Sequence, residues 1–233
     1  MPRIMSLRRN PVEIKILGIS GSPIKNSNTE AFLAEALKAA ETIAGVKTEL
    51  IALAGKEIAD CRHCNWCISK QEEGKPCGVN DDMTELFPKV LEADGLLVAT
   101  PVYLGRLSGA SAAFLDRLRS FLHGKVYHGV LNNKVGGALA VAWFRNAGLE
   151  TALQSIFLAY SAFGMIYPTL GTGSACPWGA PGLSSEDGMG KFDPKIKLGV
   201  LNDELGLRSA RSVGKRVAEV AKMVKAGQES LAA

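Results

Sequence analysis

Val12-Glu-Ile-Lys-Ile-Leu-Gly-Ile19 is a β-rich apolar run that stops abruptly at the polar stretch Ser20-Gly-Ser-Pro23. That pattern predicts a buried strand entering a tight loop. Ser27-Asn-Thr-Glu30 follows with the spacing of a capping box, and Phe32, Leu33, Ala36, Leu37 and Ala40 then fall on one helical face. Residues 46–53 predict a second strand, with Val46, Thr48, Leu50 and Ala52 alternating against Lys47, Glu49 and Ile51. Asp81-Asp82 opens a helix through Leu86, Val90 and Leu91, since carboxylates suit its positive end. The all-apolar Gly95-Leu-Leu-Val-Ala99 is a third strand, residues 108–122 a helix, and 135–142 a fourth strand. A helix over 149–163 and a fifth strand over 165–170 come next. Residues 171–200 are rich in Gly, Pro and Ser without periodicity, which reads as an active-site loop or an oligomer arm. A last helix over 201–225 carries Leu205, Ala210, Val213, Val217, Val220 and Val224. Strands and helices alternating in this way predict one α/β domain over residues 1–233, a doubly wound parallel sheet with helices on both faces.

Composition narrows the function. The chain has 233 residues, 47% hydrophobic and 21% charged, and 27 basic against 23 acidic residues leave a net charge of only +4. That balance is globular, and it offers no concentrated basic surface for nucleic acid. No apolar run approaches membrane-spanning length. Arg8-Arg9 does not open a twin-arginine leader, because Asn10-Pro11, Glu13 and Lys15 interrupt any apolar stretch behind it. The expected location is cytoplasmic. Four of the five cysteines lie within the 17 residues from Cys61 to Cys77. An odd total so concentrated suits metal or redox work in a reducing compartment rather than a disulfide framework.

In a doubly wound sheet, ligands sit at the carboxyl ends of the strands. Three loops there are unusual in composition: 20–29, 100–108 and 143–148. The first has neither a dinucleotide glycine pattern nor a phosphate-loop lysine. It offers Ser20, Ser22, Ser27, Asn28 and Thr29 at a helix start, a set suited to a terminal phosphate monoester or to plain capping. In the second, Thr100-Pro-Val-Tyr-Leu-Gly105, Pro101 stiffens the exit, Tyr103 supplies a flat face and Gly105 permits close backbone approach. It suits the edge of a planar heterocycle, or a turn with a half-buried tyrosine. The third sets Trp143 and Phe144 among polar residues.

Gly21-Ser-Pro, Ser27-Asn-Thr29, Asp81-Asp-Met83, Thr100-Pro-Val-Tyr-Leu-Gly105 and Phe114-Leu-Asp-Arg117 stand in the order seen in the NADPH-dependent FMN reductase family. With the cysteines, the chain resembles the iron–sulfur flavoprotein branch of these flavodoxin-like reductases over roughly residues 12–170. The resemblance implies a flavodoxin-like five-stranded parallel sheet and bound FMN. Ser22, Ser27, Asn28 and Thr29 would hold the phosphate, and Pro101, Val102, Tyr103, Leu104 and Gly105 would border the isoalloxazine. Where the family commonly has a Gly-rich third loop, this chain has Trp143-Phe-Arg-Asn-Ala-Gly148. The resemblance further implies electron transfer from NAD(P)H or a ferredoxin-like donor to a quinone or redox-protein acceptor. Flavin sites shared between subunits, hence a homodimer or homotetramer, are part of the same implication. An electron carrier without enzyme activity, or a cluster-free reductase, are its alternatives. No acid–base residue is implied, and Lys25, Arg106 and Arg145 are the cations available for nucleotide phosphates.

Cys61, Cys64 and Cys67 recur at steps of three, and Cys77 arrives after nine intervening residues, a longer gap than the resemblance usually shows. Three thiolates so spaced wrap one face of a [4Fe–4S] cluster while a fourth closes it. Reduced structural or redox-active thiols are the alternative, and zinc, which favours two separated Cys-x2-Cys pairs, a third. His63 reads as a bystander, Trp66 as a shield or a packing residue, and Cys176 as structural.

Overall fold

The computed structural model describes residues 12–171 and 176–232, so Arg8-Arg9 and residues 172–175 of the Gly/Pro-rich stretch lie outside it. Strand β1 (Ile14–Ser20) runs parallel to β2 (Val46–Ala52) on one side and to β3 (Gly95–Tyr103) on the other. Beyond β3 lie β5 (Val135–Ala142) and β6 (Ala180–Leu183), giving the order β2-β1-β3-β5-β6. A two-residue strand, β4 (Arg106–Leu107), turns back antiparallel onto the end of β3 and brings the sheet to six strands rather than the expected five. This is the flavodoxin-like order, in which the chain moves outward in opposite directions from β1.

Side chains divide the sheet cleanly, as alternation requires. Ile14 and Ile16 of β1 and Leu97 and Ala99 of β3 face α1 (Asn28–Ala40) and α7 (Glu204–Leu231). Leu17, Ile19, Leu96 and Val98 face the other way, onto α3 (Met83–Glu92), α4 (Gly109–Arg117) and α6 (Leu149–Ala162). The expected helix over 108–122 is broken: an i→i−3 bond from Leu118 N to Leu115 O tightens the chain before the short α5 (Arg119–Leu122). A further short helix, α2 (Trp66–Ser69), lies inside the cysteine segment. No helix among the described residues is long and apolar enough to cross a membrane.

The fifth strand is not where periodicity put it. Residues 165–170 pair with β5 only at an isolated bridge between Ile166 and Val135, where Ile166 bonds to Lys134 and Gly136. Pro168 then removes a backbone donor, and the chain leaves the edge. It returns as β6, which pairs with the carboxyl half of β5. Ala180-Pro-Gly-Leu183 has no strand signature. It sits at the edge, where Pro181 needs no partner on its outer side and Gly182 lets the Phe32 ring approach. Asp203 locks the arrangement, its carboxylate accepting from Leu183 N at 2.8 Å and from Gly206 N, the start of α7, at 3.0 Å. The 171–200 stretch is thus partly sheet rather than wholly a loop or arm.

Helices α1 and α7 meet at Gly214, where any Cβ would collide with the Ala36 carbonyl. Gly214→Ala is therefore expected to cost about 1–3 kcal/mol in urea unfolding, by forcing two backbones apart. Gly227→Ala, in the same helix but facing open space, is expected to be neutral or to stabilise by up to about 1 kcal/mol.

Candidate functional site

The site begins where β1 and β3 part. Leu53 N bonds to Ser20 O at 2.9 Å and Gly21 N to Ala99 O at 2.8 Å, so the first loop rises between the ends of β2 and β3. The Ser20 hydroxyl is buried there without a hydrogen-bond partner. Ser108, the N-cap of α4, ties the first and second loops together: its hydroxyl donates to Gly21 O at 2.7 Å, and its own amide donates to Thr100 Oγ1 at 2.9 Å. The fit is close enough that a Cβ on Gly21 would run into Ser111 Oγ.

Ser27 caps α1, accepting from Glu30 N at 3.3 Å, while the Glu30 carboxylate reaches one residue further back than a capping box requires, to Asn26 N at 3.1 Å. Ser22 is buried and accepts from Ile24 N at 3.2 Å. Thr29 is buried as well. Asn28 turns its Oδ1 to Val200 N at 2.9 Å, fastening the 3-10 turn Gly199–Asn202 to the head of α1. Its amide NH2 remains the group available to a ligand.

Thr100-Pro101-Val102-Tyr103 is the continuation of β3 rather than a loop, and the turn proper is Leu104-Gly105. Both turn residues have positive φ, 49° and 79°, as a two-residue hairpin of this hand demands. Leucine adopts that conformation reluctantly, and Leu104 is 99% exposed. The third loop closes on this hairpin. Gly148 has φ 98° and lies so near the Gly105 backbone that no Cβ fits between them. Trp143 and Phe144 stand exposed beside it, Trp143 edge-on to Phe192 at 5.1 Å and Phe144 bridged to Met189. Tyr103, Leu104, Trp143 and Phe144 thus leave an apolar surface at the carboxyl edge of the sheet. Of the 171–200 stretch, read from the sequence as an active-site loop or an oligomer arm, residues 184–192 join this edge through backbone bonds such as Arg145 N to Gly188 O at 3.1 Å. A cleft of about 520 Å³ opens between it and the start of α7, and of Lys25, Arg106 and Arg145 only Arg145 lines it.

The four clustered cysteines line a second, smaller pocket together with Arg117 and Arg119. The nine residues between Cys67 and Cys77 are taken up by α2, a tight turn at Gly74, and one buried amide. Gln71 donates to Pro76 O at 2.8 Å and Ser120 O at 2.9 Å and accepts from Val126 N and Tyr127 N at 2.8 and 2.9 Å, so all four of its bonds are made. Trp66 packs flat on Gly78 with Lys75 over its ring, which makes it a packing residue of this excursion. His63 and Asn65, on either side of Cys64, have φ 49° and 54°, and left-handed residues of this kind turn backbone N–H groups inward in anion-binding nests.

Arg117 fixes both ends of the segment. Its side chain is 1% exposed, and it donates to Ala59 O at 3.0 Å, to Val79 O at 3.3 Å and to the Asp81 carboxylate at 2.5 Å. Asp81 also accepts from Ala59 N and Met83 N. Burial alone would raise the Asp81 pKa, but the Arg117 bond and charge and the two amides outweigh it and hold the carboxyl below its ordinary value. Arg119 stands at the pocket mouth, 3.8 Å from Cys67 Sγ and 3.0 Å from Asn65 Oδ1. Burial pushes the Cys67 thiol up, against the pull of the Arg119 cation. The pocket is not flush with the first loop. It lies at the far end of α4 from Ser108, a rise of about 13 Å for nine residues. Cys176 is buried in the core of the α3–α4–α6 face.

Comparison with known proteins agrees with this fold. The profile of the NADPH-dependent FMN reductase family matches residues 14–174. An iron–sulfur flavoprotein of Methanocaldococcus jannaschii is 41% identical over 213 residues, 91% of this chain and 100% of that one. An NAD(P)H dehydrogenase (quinone) of Methylocella silvestris is 32% identical over 57% of this chain and 65% of its own. Among solved structures, RosB with bound 8-demethyl-8-formylriboflavin-5′-phosphate superposes with a TM-score of 0.69 at 20% identity, over 94% of this chain and 85% of that one, a likeness of fold. With a profile match over most of its length and a relative this similar along its whole length, the chain belongs to the NADPH-dependent FMN reductase family.

Proposed function

We propose that the protein is an FMN-dependent oxidoreductase that passes electrons between NAD(P)H or a redox protein and a quinone or protein acceptor, with a [4Fe–4S] cluster held by Cys61, Cys64, Cys67 and Cys77. The observation that carries the cluster is the shared pocket of four cysteines whose long gap is folded away by Gln71. FMN supplies hydride acceptance and one-electron release, and an iron–sulfur cluster supplies one-electron storage.

The residues fit both groups. For FMN, the first loop offers a buried, unpartnered Ser20 hydroxyl at the head of a capped helix, with Ser22, Ser27, Asn28 and Thr29 behind it. Pro101 to Gly105 form a hairpin edge with backbone groups available to a flat ring, and the exposed Tyr103, Leu104, Trp143 and Phe144 are apolar surface that such a ring or a second copy of the chain would cover. For the metal, no three His, Cys, Asp or Glu side chains among the described residues converge tightly enough to hold a single ion. Zinc requires its four sulfurs about 2.3 Å from one point. A cubane sets a different iron against each thiolate, so ligands arranged around a pocket suit it better. Arg145, on the wall of the large cleft, is the cation assigned to a nicotinamide-nucleotide phosphate. A homodimer or homotetramer and a cytoplasmic setting belong to the same reading.

Anaerobic purification followed by an absorbance spectrum and iron and sulfide assays tests both cofactors at once. The expected result is flavin with stoichiometric iron and sulfide, and steady NAD(P)H oxidation in the presence of a quinone; reduction by a ferredoxin-like protein alone would favour the carrier reading instead. Cys67→Ser is expected to lose most of the iron and sulfide while retaining FMN, and retention of both would remove Cys67 from the ligand set. Gly21→Ala, which pushes the first loop off Ser111, is expected to weaken FMN binding about tenfold or more, the equivalent of about 1–3 kcal/mol of overpacking.

Asp81→Asn probes the anchor. Because the folded Asp81 pKa lies below its unfolded value, the pair stabilises the protein fully above the ordinary carboxylate range and ceases to do so as pH falls through the lowered value. The variant is expected to be about 3 kcal/mol less stable at neutral pH and to show a flatter acid limb in urea titrations, with iron retention reduced.

A further inference from the structure

We propose that Arg117 and Arg119 are the charge-compensating donors of the cysteine pocket and that they raise the reduction potential of the cluster bound there; this rests on the cluster reading above. Three arginines, the exposed Arg62 and the better-enclosed Arg117 and Arg119, line a small pocket with four thiols, and no carboxylate lines it with them. Asp81, the partner of Arg117, bonds to the NH1 side of the guanidinium. Arg119 already reaches Cys67 Sγ at 3.8 Å, and Asn65 Oδ1 at 3.0 Å and His63 Nε2 at 3.4 Å steady the other arm of its fork.

Arg117 adds an independent observation. Its NH1 and NH2 are engaged with Ala59, Val79 and Asp81, yet its Nε is buried with no hydrogen-bond partner. A buried guanidinium N–H left unbonded is costly, so a partner is called for. Cys77 lines the same pocket as this guanidinium, two residues before Val79, whose carbonyl already takes the NH2 group. The Nε–H is therefore assigned to the Cys77 sulfur in the loaded protein.

The physical consequence follows from charge. A cubane ligated by four thiolates is anionic, and taking up one electron from a reductant adds one unit of negative charge. Fixed cations and N–H donors at the sulfurs favour that reduced form, and hydrogen bonds to the sulfurs are one of the means by which proteins set such potentials. A hydrogen bond to a charged group is stronger than one to a neutral group, so its contribution differs between the two oxidation states. Losing part of that difference between the two oxidation states corresponds to about a tenfold change in the reduced-to-oxidised ratio at fixed potential, or 59 mV for one electron.

The test is a redox titration of anaerobically prepared wild type, Arg119→Gln, Arg119→Lys and Arg117→Lys, followed by absorbance and electron paramagnetic resonance, with iron, sulfide and FMN assayed in each. Arg119→Gln is expected to keep its iron, sulfide and FMN and to need about a tenfold more reducing poise, with Arg119→Lys between it and wild type. Arg117→Lys retains a cation against Asp81 but lacks the Nε donor, and a shift in the same direction is expected. Unchanged potentials in variants with full iron and sulfide would overturn the proposal while leaving the cluster reading intact. Wild-type protein without iron and sulfide would overturn the cluster reading itself. A purely structural role would lower the melting temperature without moving the potential, and would also overturn it.

Discussion

The reversal of strand order at β1 governs the rest of the molecule. Right-handed crossovers carry the chain from β1 to β2 on one side and from β2 across to β3 on the other, so the loops leaving β1 and β3 diverge and leave a crevice between them. A crevice of that kind needs a fastening. Here Ser108 provides it, with a hydroxyl bonded to Gly21 O and an amide bonded to Thr100, so that one side chain sets the separation of the first two loops. The third loop is hydrogen-bonded to the 184–192 segment and meets the second loop by contact, Gly148 lying against the Gly105 backbone where nothing larger fits. Chemistry at this edge is thus positioned by backbone groups at close range, which suits a planar ligand recognised along its rim.

The cysteine segment obeys a different constraint. A polar excursion of some twenty residues cannot form a core of its own, and its carbonyls need partners wherever they are buried. One arginine and one glutamine meet most of that need. Arg117 gathers the carbonyls of Ala59 and Val79 at the two ends, and Gln71 holds the middle to α5 and to residues 126–127. Both are fully enclosed, so each is stabilising only as long as its partners stay in place. The α4 helix makes the two regions one device, since Ser108 at its head belongs to the first and Arg117 at its foot to the second.

Much of this was legible in the chain itself. Strands β1, β2 and β5 and helices α1, α3, α6 and α7 lie close to where alternation and capping residues put them, and all but the edge strand β2, of which only Val46 is buried, cover an apolar stripe that local spacing reveals. The loop expected over 100–105 narrows to a turn at Leu104-Gly105, because Pro101 to Tyr103 continue β3, whereas the capping serine at position 27 was equally readable. The fifth strand was not. Residues 165–170 have the better β composition, yet Pro168 breaks their pairing, while Ala180-Pro-Gly-Leu183 pairs along half of β5 with no strand-forming residue except by virtue of its place at the edge.

The sequence alone determined the fold class, the three loops at the carboxyl edge and the four clustered cysteines, since these are properties of spacing and residue type. Tertiary structure alone decided how the nine-residue gap closes, that residues 184–192 complete the site beside Trp143 and Phe144, and that Asn28 faces Val200. It also decided that Arg117 and Arg119, distant in the chain from the cysteines, join Arg62 in lining their pocket. The reason is that each of those outcomes depends on satisfying a buried polar group or filling a backbone gap between segments far apart in the chain, and no local pattern encodes such a partner.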